Sequence, residues 1–136
     1  DNDGCGEYSK PCASIGKGVE AACNSSSAEL NTVWVAQGQY YNGKTIEITC
    51  SLSIRSTNGS ANTFIISNTT ESSLSVIPDV VEYSNITISG FSFTALAVQR
   101  QPTLYAPEQG NIELEDVVFS NITNHNSLIT FIAQSV

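Results

Sequence analysis

A chain of 136 residues is long enough for one domain and too short for two with substantial cores of their own, and no apolar run approaches the ~18 residues of a membrane-spanning helix. Thirteen acidic groups stand against Lys10, Lys17, Lys44, Arg55 and Arg100 for a net charge of -8, without the clustered cations that phosphate binding requires, so nucleic acid is excluded as a partner. Ser and Thr supply 31 residues and Asn 12, which implies a surface rich in short hydrogen-bonding side chains.

Residues 1 to 12, "DNDGCGEYSKPC", carry Gly4, Gly6 and Pro11 and read as loop. No initiator Met or signal peptide precedes them, so Asp1 reads as a processed N-terminus or the first residue of an excerpt. In "ASIGKGVEAAC", Ile15, Val19, Ala22 and Cys23 recur at helical spacing behind Ser14 as an N-cap, predicting a short amphipathic helix. Gly16 and Gly18 each weaken it by about 1 kcal/mol relative to Ala, so it needs packing or a crosslink at Cys23 to persist.

From Thr32 the period changes. "TVWVAQGQYY", "KTIEITCSLSIRS", "NTFIIS", "SLSVI", "NITISGFSFT", "NIELEDVVFS" and "SLITFIA" alternate apolar with small polar residues and predict seven or more short strands, separated by turn-forming stretches such as Asn42-Gly43, Asn58-Gly59 and Pro78-Asp79. No helical pattern returns, so alternating β-α units are excluded. The choice between a sandwich and a solenoid rests on internal repetition. "NITISGFSF" (85–93) aligns with "NIELEDVVF" (111–119) at an offset of 26, placing Ile86, Ile88, Phe91 and Phe93 over Ile112, Leu114, Val117 and Phe119. "TVWV" (32–35) over "SLSI" (51–54) gives 19, and "SLSI" over "SLSV" (73–76) gives 22. Uneven steps of this size suit stacked coils with variable turns, in which the apolar set fills the bore while Thr87, Ser89, Ser92 and Glu113 face solvent. An immunoglobulin-like sandwich would also alternate, but Trp34 lies between cysteines only 27 apart, the first of them on the helix.

Cys5, Cys12, Cys23 and Cys50 form an even set without a C-x-x-C pair, and His125 is far away in sequence, so disulfides are expected in preference to zinc. Three pairings are possible. Cys5 with Cys12 and Cys23 with Cys50 is favoured, because the first is local and the second ties helix to strand. Asn-x-Ser/Thr occurs at Asn24, Asn58, Asn68, Asn85 and Asn121, against about 2.7 sites from random placement of the same residues. With the cysteines, this excess favours a secreted glycoprotein carrying N-linked glycans.

The stretches "CGEYSKPCASIGKGVEAAC" and "NTVWVAQGQYYNGKTIEITCSLSIRS" resemble the opening of a right-handed parallel β-helix of the pectin-lyase-like superfamily, of secreted eukaryotic type, over residues 5 to 56. The resemblance implies an N-terminal helix that caps the solenoid, followed by first-coil and second-coil strands. Later coils share a pattern common to many solenoids and carry the fold without an activity. The fold class expected is therefore all-β, a single domain over 1–136, with a disulfide-bearing loop and cap helix in 1–31 and β-helix coils in 32–136.

Enzymes of that superfamily use clustered aspartates, calcium-binding carboxylates or a Lys/Arg base along one sheet. Here Glu113 and Glu115 share a strand face beside Asp116, but the aligned positions one coil away are Thr87, Ser89 and Gly90, so the cluster reads as a solvated face. Asp79 and Glu82 read as turn formers. Asp1, Asp3 and Gly6 have calcium-loop spacing, but Cys12 stands where the closing Glu would be. His125 has no ligand companion, and neither a catalytic residue, a metal nor a cofactor is expected. Trp34, opposite Val33 and Val35, projects outward and with Tyr40, Tyr41, Tyr83 and Tyr105 could meet a sugar or partner.

The chain closes on "SLITFIAQSV". A solenoid with a helix over one end leaves the other in need of cover, so Leu128, Ile129, Phe131, Ile132 and Val136 are the expected assembly interface, met by a further coil or a second molecule. The expected function is that of a non-enzymatic, secreted or cell-surface, N-glycosylated structural protein that self-associates end to end into an extracellular filament. The alternatives are a carbohydrate-active lyase or glycosidase-like domain, and a carbohydrate-binding or adhesive module of a larger surface protein.

Overall fold

A computed structural model describes residues 12–24, 31–76, 85–96, 104–106, 111–120, 122 and 129–131. They form one short helix and ten strands, all paired in parallel. The helix α1 spans Ile15–Cys23. Ser14, in extended conformation, caps it by accepting the Lys17 N–H at 3.2 Å, and Asn24 closes it with its N–H directed at the Ala22 and Glu20 carbonyls. Ile15 and Val19, one turn apart, are buried against the sheet ends. Gly18 permits the approach: a Cβ there would stand 3.2 Å from Val33 Cγ1. The helix residue that costs propensity thus sets how closely α1 lies on the first strand.

The strands are β1 (Asn31–Val35), β2 (Gly38–Asn42), β3 (Ile46–Ile48), β4 (Leu52–Ser56), β5 (Thr63–Ser67), β6 (Leu74–Val76), β7 (Asn85–Ala95), β8 (Leu104–Ala106), β9 (Asn111–Phe119) and β10 (Ile129–Phe131). A six-stranded sheet runs β1-β4-β7-β5-β2 with β9 also on β7, and a four-stranded sheet runs β10-β8-β6-β3. The long strand β7 explains the first order. Its leading half pairs with β4 (Leu52↔Ile86) and its trailing half with β5 (Phe64↔Ser92), so the sheet curls through a bend at Gly90. β9 follows β7 across the bend, with Asp116 at positive φ one layer from Gly90.

The register at 26 residues between β7 and β9 is as the repeat predicts, from Asn85↔Asn111 to Phe93↔Phe119. The alignments expected at offsets of 19 and 22 are not the pairings the strands adopt. β1 meets β4 at 21 residues (Asn31↔Leu52), not 19, so Trp34 lies beside Arg55. "SLSI" and "SLSV" do not pair: Ile54 lies beside Ile88, while Leu74 lies beside Ile46 in the other sheet. The long apolar stretches break at corners, so that "TVWVAQGQYY" supplies β1 and β2, and "KTIEITCSLSIRS" supplies β3 and β4.

Parallel register places like side chains over like. Leu52, Ile54, Ile65, Ile86, Ile88, Phe91 and Phe93 are all buried, and the Phe93 and Phe119 rings stack at 5.4 Å between centroids. Burying each such side chain contributes roughly 1.5–3 kcal/mol. Cys23 of α1 is bonded to Cys50 just before β4, with Cα atoms 5.5 Å apart, fastening the helix to the strands. Cys12 is also disulfide-bonded, and Cys5 lies outside the described residues.

Candidate functional site

The outward face of β1, β4, β7 and β9 carries the charged and aromatic side chains that the strand alternation expels from the core. Trp34, Arg55, Ser89 and Glu115 form one row across the four strands, and Thr87 and Glu113 lie in the next. Trp34 is 64% exposed and Val35 is buried, so the alternation holds as expected. The Arg55 guanidinium reaches Glu115 at 3.6 Å. It does so over Ser89, whose short side chain leaves the space between β4 and β9 open. The basic partner absent from the adjacent layer is thus supplied from two layers away.

Glu113 hydrogen-bonds to Glu115, and that bond, with the repulsion between the two carboxylates, raises the Glu113 pKa above the usual value; Arg55 opposes the shift. Both residues are exposed, in keeping with the solvated face expected for them.

A second cluster sits at the bend. The turn 57–62 between β4 and β5 reaches along the stack to β9, where the Asp116 carboxylate accepts the Ser60 N–H at 3.0 Å and the Ser60 hydroxyl at 2.6 Å. These two bonds hold the Asp116 carboxyl below its ordinary pKa. Beneath them, Ser92 Oγ donates to the Ser60 carbonyl at 2.7 Å, and Ser56 Oγ accepts the Gly59 N–H at 3.0 Å. Ser92, expected to face solvent, is therefore buried, because the turn lies over it. Gly90 makes the arrangement possible: at φ +85, a Cβ there would fall 2.2 Å from Ser56 Oγ.

Comparison with protein-family models, with curated proteins and with solved structures finds no match to this chain.

Of the described sequon asparagines, Asn24, Asn68 and Asn85 lie at element ends away from both clusters, whereas Asn58 lies in the turn 57–62 that carries the second. Asn24 is the C-cap of α1, Asn58 lies in the turn after β4, Asn68 follows β5 and Asn85 opens β7, and all four are exposed. Asn58 Nδ2 donates to Gln37 Oε1, and the Asn68 N–H to the Asn42 carbonyl at 3.2 Å. Asn121 lies outside the described residues. Of the expected assembly interface, Ile129 and Phe131 lie in β10, paired with β8, while Leu128, Ile132 and Val136 are outside the described residues, as are Asp1, Asp3, Gly6, Asp79, Glu82, Tyr83 and His125. No helix of the described residues is long and apolar enough to cross a membrane.

Proposed function

We propose that this chain is a secreted, N-glycosylated parallel β-helix of pectin-lyase-like type with a structural or surface role, and that it associates end to end. The three parallel ladders β1-β4-β7-β9, β2-β5-β7-β9 and β3-β6-β8-β10, visited in the same order by successive stretches of chain, support the β-helix reading. The observation that carries the structural role is that Arg55, Glu115 and Asp116 on the outer face are committed to ties along the stack. Arg55 to Glu115 and Ser60 to Asp116 each span two layers, so the polar residues reinforce the axis of the molecule.

End-to-end association is supported by an asymmetry of burial. Ile86, Ile88, Phe91 and Phe93 are buried, whereas their β9 neighbours Ile112, Leu114, Val117 and Phe119 are only half-buried; at the opposite end Ile15 and Val19 of α1 pack into the core. A further layer on β9 would complete the burial of that row. Expression through a eukaryotic secretory pathway tests the proposal. Secreted protein that loses mass on amidase treatment, and forms elongated particles in light scattering and electron micrographs, is expected. A glycan-free product, or a strictly monomeric one at high concentration, overturns the corresponding part.

The exposed Trp34 beside Arg55 favours a second reading, contact with a saccharide along the outer face. Trp34 is the only Trp in the chain, so its emission reports directly on titration with soluble polysaccharides.

A further inference from the structure

A cleft of about 770 Å³ opens between α1 and the turn that joins β2 to β3, within the roughly 300–1,000 Å³ of small-ligand sites. Its lining is mixed polar and apolar, and its charges nearly balance: Lys17 and Lys44 stand with Glu20, Glu47 and Glu71, and Lys17 is tied to Glu20 at 3.2 Å. A strongly charged ligand gains little there, whereas a neutral polyhydroxy group meets hydrogen-bonding partners on several sides. One wall is the ring of Tyr41, 61% exposed and oriented by its hydroxyl, which donates to Gln39 Oε1 at 3.1 Å. An exposed aromatic ring beside a lining that offers both apolar surface and hydrogen-bonding groups suits a pyranose, whose C–H face stacks on the ring while its hydroxyls find partners.

The lip of the same cleft carries Asn24, the exposed C-cap of α1 and the first residue of an Asn-Ser-Ser sequon. We infer that the cleft is the seat of the molecule's own glycan: the proximal sugar on Asn24 packs on Tyr41 and is held between α1 and the β2–β3 turn. The inference rests on the N-glycosylation reading and goes further, assigning one sequon a structural partner. The glycan then covers the boundary between the disulfide-anchored helix and the strands, adding a link beside Cys23–Cys50. Asn68, whose Oδ1 lies 3.8 Å from where a Gly43 Cβ would stand, is the nearest competitor for the site.

Release of each glycan from the native protein by an amidase in heavy-oxygen water tests this, because every released site is marked by conversion of Asn to labelled Asp and can be timed by peptide mass spectrometry. The glycan on Asn24 is expected to leave about five-fold more slowly than that on Asn85, Tyr41→Ala to remove the difference, and Tyr41→Phe, which keeps the ring, to preserve it. Tyr41 is exposed, so the fold does not depend on it. An occupied Asn24 with release unchanged by Tyr41→Ala, or a change confined to Asn68, overturns the inference while leaving the glycoprotein reading intact. An empty Asn24 beside occupied sites also overturns the inference alone, whereas empty sequons throughout overturn both.

Discussion

Replacing Gly90 by Ala tests the account of the bend directly. Gly90 has φ +85, where a side chain costs about 1–2 kcal/mol, and its Cβ would overlap Ser56 Oγ at 2.2 Å. Ser56 can rotate away, but only by giving up the Gly59 N–H, a bond whose loss costs about 1 kcal/mol. Gly90→Ala should therefore destabilise the protein by about 2–3 kcal/mol, a large part of the ~5–15 kcal/mol typical of a domain, and lower Tm by on the order of 10 °C. Urea and thermal unfolding of the disulfide-intact protein measure the loss. In a Ser56→Ala background the Oγ overlap and its bond are gone, so Gly90→Ala should then cost less: its conformational part of about 1–2 kcal/mol together with the remaining 3.3 Å approaches to the residue 56 Cβ and the Gly59 Cα. A cost below about 0.5 kcal/mol, or one equal in the two backgrounds, would refute the reasoning.

Removing the Cys23–Cys50 bridge by a double Cys→Ser substitution should lower stability by about 3 kcal/mol in the chain-entropy picture, read as a shift of the urea midpoint. The folded-state pKa of Glu113 is raised, so its contribution to stability is complete below the unfolded value of about 4.3 and is lost as pH rises through the folded one. Glu113→Gln keeps a neutral donor, and should raise Tm at pH 7 with the gain vanishing below about pH 4. Asp116 has the opposite sign: its folded pKa is depressed, so its contribution is present above about 3.9 and lost as pH falls through the folded value. Asp116→Asn should therefore lower Tm at pH 7, with the gap from wild type closing in acid, and parallel curves across pH would sink the assignment.

What the sequence reveals of this fold follows from how local the signal is. The helix is legible because its N-cap Ser14 and its buried pair Ile15 and Val19 lie within six positions of each other, whereas its stop at Asn24 is seen only in the structure. The β7–β9 register is legible because both strands run through the bend without an insertion, so the 26-residue repeat survives intact. Where the chain changes direction, the letters mislead. "SLSI" and "SLSV" match in composition yet occupy different ladders, since alternation records which way a side chain faces and not which strand lies beside it. β8, three residues long, is too short to show a period at all. The ties along the stack depend on both kinds of information. Arg55 meets Glu115 only if the register of two successive layers is known and the residue between them is small, and Asp116 meets Ser60 only because Gly90 leaves room for the turn. A charged side chain and an opposite charge or hydrogen-bond donor two layers away, with Ser or Gly between them, are therefore the pattern to seek in a stacked parallel sheet, where a search confined to adjacent layers misses the partners of both Glu115 and Asp116.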